Sequence, residues 1–246
     1  MRNRFYPDNN PIPYFSCRDI TKNYEGKPVV KNISLELHRG GCISLLGPSG
    51  VGKTTLFNVL AGIDPPDGGN VYLDGEDISG IPGRVGYMPQ RDLLLEHRTV
   101  LDNVILPLLI RGEKKKTARE SAAAFFPQFG LAGYERKYPW QLSGGMRQRA
   151  ALLRTWMTHT AVILLDEPFS ALDAITRLQM QEWYREIAAH IKISTLFITH
   201  DVDEALLLSA TVYILNGRPG SIVNSIAVNP HHSQKQEILE TLLNRQ

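Results

Sequence analysis

The stretch that most restricts what this chain can fold into is CISLLGPSGVGKTT, Cys42 to Thr55. An apolar run meets Gly47 and a glycine-rich turn follows. From Lys53 the apolar residues Leu56, Phe57 and Leu60 recur at helical spacing until Gly62 and the Pro65-Pro66 break. Gly47-Pro48-Ser49-Gly50-Val51-Gly52-Lys53-Thr54 satisfies G-x-x-x-x-G-K-[ST] in full, between a strand pattern and a helix pattern. Glycines let successive backbone N–H groups turn inward, and the following helix adds its positive N-terminal end, so the turn reads as a phosphate cradle. Lys53 is placed to reach the β- and γ-phosphates of ATP or GTP, and the Thr54 hydroxyl to bind Mg²⁺.

The remaining pattern is mixed. Tyr14 to Leu46 alternates short apolar runs with polar turns and reads as strands, GGNVYLDGEDI as a hairpin turning at Asp74-Gly75, and VGYMPQ as a short strand ending at Pro89 and Gln90. From about Leu93 to Trp156 the composition becomes helical. AVILLD and STLFIT are nearly continuous apolar runs, the pattern of strands covered on both faces in a parallel sheet, with a helix from about Ala174 to His190 between them. After His200 a short helix with acidic residues at its start precedes strands on either side of Asn216-Gly217. In the tail, Ile238, Leu239, Leu242 and Leu243 share one helical face, expected to pack onto the core.

Composition narrows the classes. With 43% hydrophobic and 21% charged residues the chain is an ordinary globular sequence. A net charge of +2 gives no broad footprint for nucleic acid, and Lys114 to Lys116 reads as a solvated loop face, so no nucleic-acid partner is expected. Cys17 and Cys42 have no metal-ligand spacing and read as reduced, buried residues of a cytosolic compartment. The longest apolar stretch, Val104 to Ile110, contains Pro107 and is far short of a membrane span, while MRNRFYPDNN has no apolar signal-peptide centre. The chain is therefore expected to be soluble by itself, a property compatible with docking onto a membrane protein.

Two further motifs carry chemistry. VILLDEP ends an apolar strand in two acids: Asp166 suits Mg²⁺, directly or through water, and Glu167 suits positioning an attacking water or accepting its proton. QLSGGMRQRA places Ser143, Gly144 and Gly145 at the start of a cationic helical segment, offering a hydroxyl and exposed N–H groups as a second anion cradle.

LSGGMRQR followed by VILLDEPFSALD resembles the signature, Walker B and D-loop of ATP-binding-cassette (ABC) ATPases, over roughly Tyr14 to Gly220. The resemblance implies an α/β fold: a P-loop NTPase core with a mainly parallel sheet, an antiparallel β subdomain and an inserted helical subdomain. Its expected bounds are 14–90 and 157–220 for the core, 91–156 for the helical part and 221–246 for a tail. It implies ATP and Mg²⁺ as cofactors, with Pro48, Ser49, Val51 and Thr55 joining Gly47, Gly50, Gly52, Lys53 and Thr54 around ATP. Tyr24 matches the aromatic that stacks on adenine, Gln90 the glutamine that senses Mg²⁺ and water, and His200 the switch histidine. Asp166 matches the metal acid and Glu167 the catalytic one. The turn of Leu142, Ser143, Gly144, Gly145 and Met146, with Asp173 of the D-loop, is expected to act on the nucleotide of a second ATPase subunit, so that two copies sandwich two ATP molecules. Gly41, where an acid often precedes the P-loop strand, and LLRTWMTHTA, in place of a more Ala-rich helix, depart from the commonest family wording without removing a group from the chemistry.

YPWQLSGGMRQR, ITHDVDEALLLS and NGRPG look most like the nitrate, sulfonate and taurine importer group, which includes importers of thiamine-related pyrimidines. That resemblance implies the ATPase subunit of a bacterial importer on the cytoplasmic face of the membrane, partnered by permease subunits and indirectly by an extracytoplasmic solute-binding protein. Soluble ABC ATPases of cluster assembly or DNA maintenance, and exporter ATPases, share the same core motifs. The transported compound is not written in this chain.

Overall fold

The structure, a computed structural model, describes residues 13–229 and 234–243. Strand β1 (Phe15–Tyr24) pairs antiparallel with β2 (Lys27–Leu37). In β2, Ile33, Leu35 and Leu37 are buried while Ser34 and Glu36 face out, the period-two pattern of a half-covered sheet. Strand β3 (Cys42–Leu46) leads into α1 (Lys53–Leu60) through the glycine turn. Then β4 (Gly68–Leu73) and β5 (Glu76–Asp77) form the hairpin, and β6 (Gly86–Met88) follows. The antiparallel sheet has the order β2-β1-β4-β5.

After β6, residues 89–99 form neither helix nor strand; α2 (Val100–Val104), α3 (Leu106–Ile110), α4 (Lys115–Ala123) and α5 (Gly144–Trp156) follow. The chain returns as β7 (Val162–Asp166), α6 (Ala174–Ile191), β8 (Ser194–Thr199), α7 (Val202–Leu208), β9 (Thr211–Asn216), β10 (Ser221–Ala227) and α8 (Lys235–Leu243). These strands form a six-stranded sheet ordered β10-β9-β3-β8-β7-β6, parallel except for the edge strand β10.

Why the middles of β7 and β8 are apolar without alternation is visible in their two faces. Ile163, Leu165 and Phe197 pack with α2–α6, whereas Val162, Leu164, Leu196 and Ile198 pack with α1 and the antiparallel sheet. Alternate residues thus feed opposite cores, and the buried polar side chains of these strands, Asp166, Ser194, Thr195 and Thr199, stand at or next to the strand ends. A third cluster joins Leu46, Val202, Val212, Ile214, Ile226 and Ile238.

Two expectations are corrected. The tail helix docks with half of its apolar face: Ile238 is buried and Leu242 packs beside it, but Leu239 and Leu243 are 41% and 71% exposed. Residues 230–233 and 244–246 of the expected tail lie outside the described residues. Cys17 is buried, whereas Cys42 is only half-buried; both are free, and burial pushes each thiol up to about 12. Lys114, Lys115 and Lys116 are exposed. Among the described residues no helix is long and apolar enough to cross a membrane.

Candidate nucleotide site

Parallel strands end on the same side, and neighbouring β3, β8, β7 and β6 therefore deliver their following loops to one edge, the place where open α/β sheets bind ligands. The Gly47–Thr55 loop leaves β3, Gln90 follows β6, Asp166 and Glu167 sit at the end of β7, and His200 follows β8.

The glycines of the first loop answer to space as well as to backbone angle. A Cβ at Gly47 would lie 2.4 Å from the Leu215 carbonyl oxygen, and one at Gly52, whose φ is +107°, would lie 2.6 Å from Val30 Cγ1. Pro48, Ser49 and Gly50 are exposed and Val51 is buried; Thr54 faces solvent while Thr55 is half-covered. Lys53 folds back over its own loop, its Nζ donating to the carbonyls of Gly47 (2.8 Å) and Pro48 (3.0 Å). Burial lowers its pKa, opposed by the charges of Glu167 and Asp166. The ammonium is thus held beside the cradle by neutral oxygens that a phosphate could replace.

Thr54 Oγ1 donates to Asp166 Oδ2 at 3.1 Å, and the Tyr87 hydroxyl reaches the same oxygen at 3.4 Å. Asp166 is buried, and that burial raises its pKa; the Thr54 hydrogen bond opposes the rise and neighbouring Glu167 adds to it. Burial likewise pushes the Tyr87 phenol up, with Asp166 adding to it. The donors suit Mg²⁺: one hydroxyl and one carboxylate, both hard oxygens, at adjoining positions. Among the described residues no group of three or more His, Cys, Asp or Glu side chains forms a metal cage, so water and phosphate oxygens would complete such a shell.

Glu167 occupies the left-handed region at φ +45°, and its backbone N–H donates a hydrogen bond to the Ile198 carbonyl (3.0 Å). Its Oε2 accepts from Gln90 Nε2 at 3.1 Å and lies 3.3 Å from His200 Nδ1, while Gln90 also reaches Ser170 Oγ at 3.4 Å. Three residues from three strand ends thus meet around one carboxylate oxygen. Tyr87 and Ser170 were missed by sequence reasoning. Tyr87 carried a usable signal, lying three residues before Gln90 on the strand beside Asp166.

Tyr24 stands apart at the end of β1. It is 43% exposed, its hydroxyl donates to Asp64 Oδ2 (2.8 Å), and Lys22 Nζ lies 5.5 Å from the ring centroid. The second glycine turn also stands apart. Ser143 caps α5, its hydroxyl accepting from Met146 N at 3.3 Å, and Ser143 and Gly144 are exposed. Leu142 and Gly145 are buried within their own chain, and Met146 is half-buried. A Cβ at Gly145 would lie 2.9 Å from Thr176 Cγ2, so the turn abuts α6, whose N-cap is Asp173 accepting from Thr176 N (3.1 Å). Among the described residues no hydrogen bond joins this turn to the Gly47–Thr55 loop. The residues available to meet another surface are Ser143, Gly144, Met146 and Asp173.

Comparison with known proteins fits this geometry. The family model described as "ABC transporter" matches residues 30–170. The formylaminopyrimidine import ATP-binding protein ThiZ of Halalkalibacterium halodurans is 41% identical over 215 residues, 87% of this chain and 84% of the relative. The taurine import ATP-binding protein TauB of Yersinia pestis is 41% identical over 206 residues, 84% of this chain and 81% of the relative. Among solved structures, a dimeric post-hydrolysis state of the ATP-binding cassette MJ0796 bound to ADP and Pi superposes with a TM-score of 0.75 at 25% identity. The match covers 87% of this chain and 99% of that one.

Proposed function

The chain belongs to the ABC transporter family of ATPases, and from that premise we propose that two copies of it power an importer of a small solute through a separate permease. The observation that carries the reading is the convergence on one sheet edge of the phosphate loop, the Thr54–Asp166 contact and the Gln90–Glu167–His200 cluster. The exposed Ser143–Gly144 turn lies elsewhere on the same chain, where it would serve the nucleotide of a partner copy.

ATP is the substrate. Tyr24 offers a flat face for stacking on adenine. The N–H groups of Gly47–Thr55 hold the phosphates, and Lys53 exchanges its two carbonyl contacts for phosphate oxygens. Thr54 and Asp166, with Gln90 at hand, would hold Mg²⁺, which supplies neutralising charge to the phosphates when bound. Glu167 orients the attacking water or takes its proton, while Gln90 and His200 fix that carboxylate and sense the γ-phosphate side. From the second copy, Ser143 and Gly144 close over the γ-phosphate and Asp173 shapes the joined surface. Binding of ATP favours the closed pair because it contacts both chains, and hydrolysis removes the link.

Residues Arg91 to Arg111, between Gln90 and the end of α3, would carry that movement to a permease loop on the cytoplasmic face of the membrane. The importer relatives ThiZ and TauB support this direction of transport. Selectivity for the solute would reside in the permease and an extracytoplasmic binding protein, because this chain has no need to touch it. The test is affinity purification from gently solubilised native membranes, with identification of the partners and an ATPase assay of the complex. Recovery of a multi-span permease that stimulates hydrolysis supports the importer reading. Recovery of soluble partners alone, with the chain absent from membranes, overturns it and leaves the ATP site standing.

A further inference from the structure

Tyr24 is the last residue of β1, before a turn at Glu25 and Gly26, whose φ values of +51° and +74° suit a two-residue hairpin. At a strand end and 43% exposed, its ring is not fixed by the core. What holds it is the loop that follows α1. Asp64 Oδ2 accepts from the Tyr24 hydroxyl at 2.8 Å. Lys22 Nζ donates to the Pro65 carbonyl at 2.8 Å, lies 3.6 Å from Asp67 Oδ1 and rests 5.5 Å from the centroid of the Tyr24 ring. Asp67 Oδ2 accepts from Asn23 N, and Asp67 N donates to the Thr21 carbonyl at 2.9 Å. The end of β1, Thr21 to Tyr24, is thus engaged residue by residue by Asp64, Pro65 and Asp67. Between the two acids Pro65 and Pro66 each lock a φ angle, which stiffens the loop.

The same loop is tied to the phosphate cradle through α1. The helix starts at Lys53, inside the cradle, and ends at Leu60; beyond it Ile63 N and Asp64 N donate back to the Asn58 carbonyl at 2.9 and 3.2 Å. Its eight residues rise about 12 Å. One short rigid element therefore carries the phosphate loop at its start and the Tyr24 contact just past its end. The Asp64 hydrogen bond is the first cause of the raised pKa of the Tyr24 phenol, so the hydroxyl remains a donor. A cation against one face of the ring leaves the other to a flat base, and a hydroxyl held at the tip fixes the plane of that face. We propose that Asp64 is a positioning residue for the nucleobase: by holding the Tyr24 hydroxyl it sets the stacking face at a fixed place relative to the phosphate loop, so that the nucleotide meets a ring already ordered. This rests on the ATP reading of the preceding subsection, in which Tyr24 stacks on adenine.

The experiment titrates the full chain with MgADP by isothermal calorimetry; ADP carries the same base, is not hydrolysed and lacks the γ-phosphate that would join two copies. Tyr24→Ala removes the ring. Tyr24→Phe and Asp64→Ala each remove one end of the tether, the double variant Tyr24→Phe with Asp64→Ala removes both, and Asp64→Asn keeps an acceptor oxygen without the charge. Tyr24→Ala is expected to weaken binding about 5-fold or more, as loss of a stacking partner does. Tyr24→Phe and Asp64→Ala are each expected to weaken it about 2-fold to 10-fold, the effect of having to order one side chain on binding. The double variant should bind as its weaker parent does, because the two changes break one interaction, and Asp64→Asn should recover most of the loss. Unchanged affinity in Asp64→Ala overturns the positioning role, as does an equal loss in Asp64→Asn. So does a loss from Asp64→Ala that is undiminished when residue 24 is already Phe, since the loop would then act on the cradle and not through the Tyr24 hydroxyl. Unchanged affinity in Tyr24→Ala overturns the stacking reading, and the proposal with it, while the phosphate loop stands; a native chain that binds no ADP overturns the ATP reading itself.

Discussion

Replacing Glu167 by Gln removes one charge and one proton acceptor while keeping the side-chain shape. In the native chain Oε2 is shared by the Gln90 amide (3.1 Å) and His200 Nδ1 (3.3 Å), so the carboxylate is held in place and the substituted amide can offer its oxygen to Gln90 in the same position. The fold should not suffer. Glu167 adds to the raised pKa of buried Asp166, so its neutralisation relieves repulsion between adjacent acids. The change in stability is expected to stay within about 0.5 kcal/mol, about 2 °C in melting temperature for a chain of this size. Catalysis should bear the whole effect: loss of a positioned base costs about 10²-fold to 10⁴-fold in rate, about 3–5 kcal/mol of barrier. Phosphate release would fall accordingly, nucleotide titration would give an unchanged affinity, and size-exclusion chromatography with ATP would show a dimer absent without it. Turnover within threefold of the native chain would refute the role of Glu167, and lost nucleotide binding would refute the argument that the substitution is confined to chemistry.

Gly52→Ala would place a Cβ 2.6 Å from Val30 Cγ1 at a φ of +107°, and should cost about 1–3 kcal/mol together with nucleotide affinity; an unchanged melt and titration would contradict the cradle geometry. Phe197→Ala empties a fully buried ring site flanked by Tyr184 and Phe169 at 5.0 and 6.2 Å, and should cost about 3–5 kcal/mol in denaturant unfolding. Burial raises the pKa of Glu204 above the 4.5 of the free side chain, against the hydrogen bonds of Thr199 and Gln181. The native state therefore holds the proton more tightly than the unfolded one. The stability contributed by this group is complete below pH 4.5 and is lost as pH rises through the raised value. Glu204→Gln, which can still accept from Gln181, should be more stable than the native chain at neutral pH and indistinguishable near pH 4; equal unfolding curves at both would remove the effect.

The residue types of the site were legible because each lies in a local pattern with a local cause. A glycine loop after an apolar run, the two acids that end VILLDE and the histidine that ends LFITH all lie at strand ends, and strand ends are readable from hydrophobic runs that stop. The partnership between fold and chemistry was less local. Thr54 and Asp166 are 112 positions apart, and their contact depends on the order β3-β8-β7-β6, which no single segment encodes. The hold of Asp64 on Tyr24, 40 positions away, was invisible for the same reason: Asp64 looks like ordinary loop charge until the residues after α1 are laid beside the end of β1.

Sequence alone therefore determined the main strands, the helices after the glycine loop and between β7 and β8, and which short stretches can hold phosphate, because backbone freedom at glycine and apolar periodicity act within a few residues; the helical reading begun at Leu93 ran over residues 93–99, which have neither helix nor strand. Tertiary structure decided which of those stretches meet. It put the phosphate loop, the two acids, Gln90 and His200 at one edge, and it left the Ser143–Gly144 turn facing outward. It also buried Ile238 while exposing Leu243 of the same apolar stripe, because burial depends on how wide a face the neighbouring elements offer, and a helix does not carry that information in its own spacing.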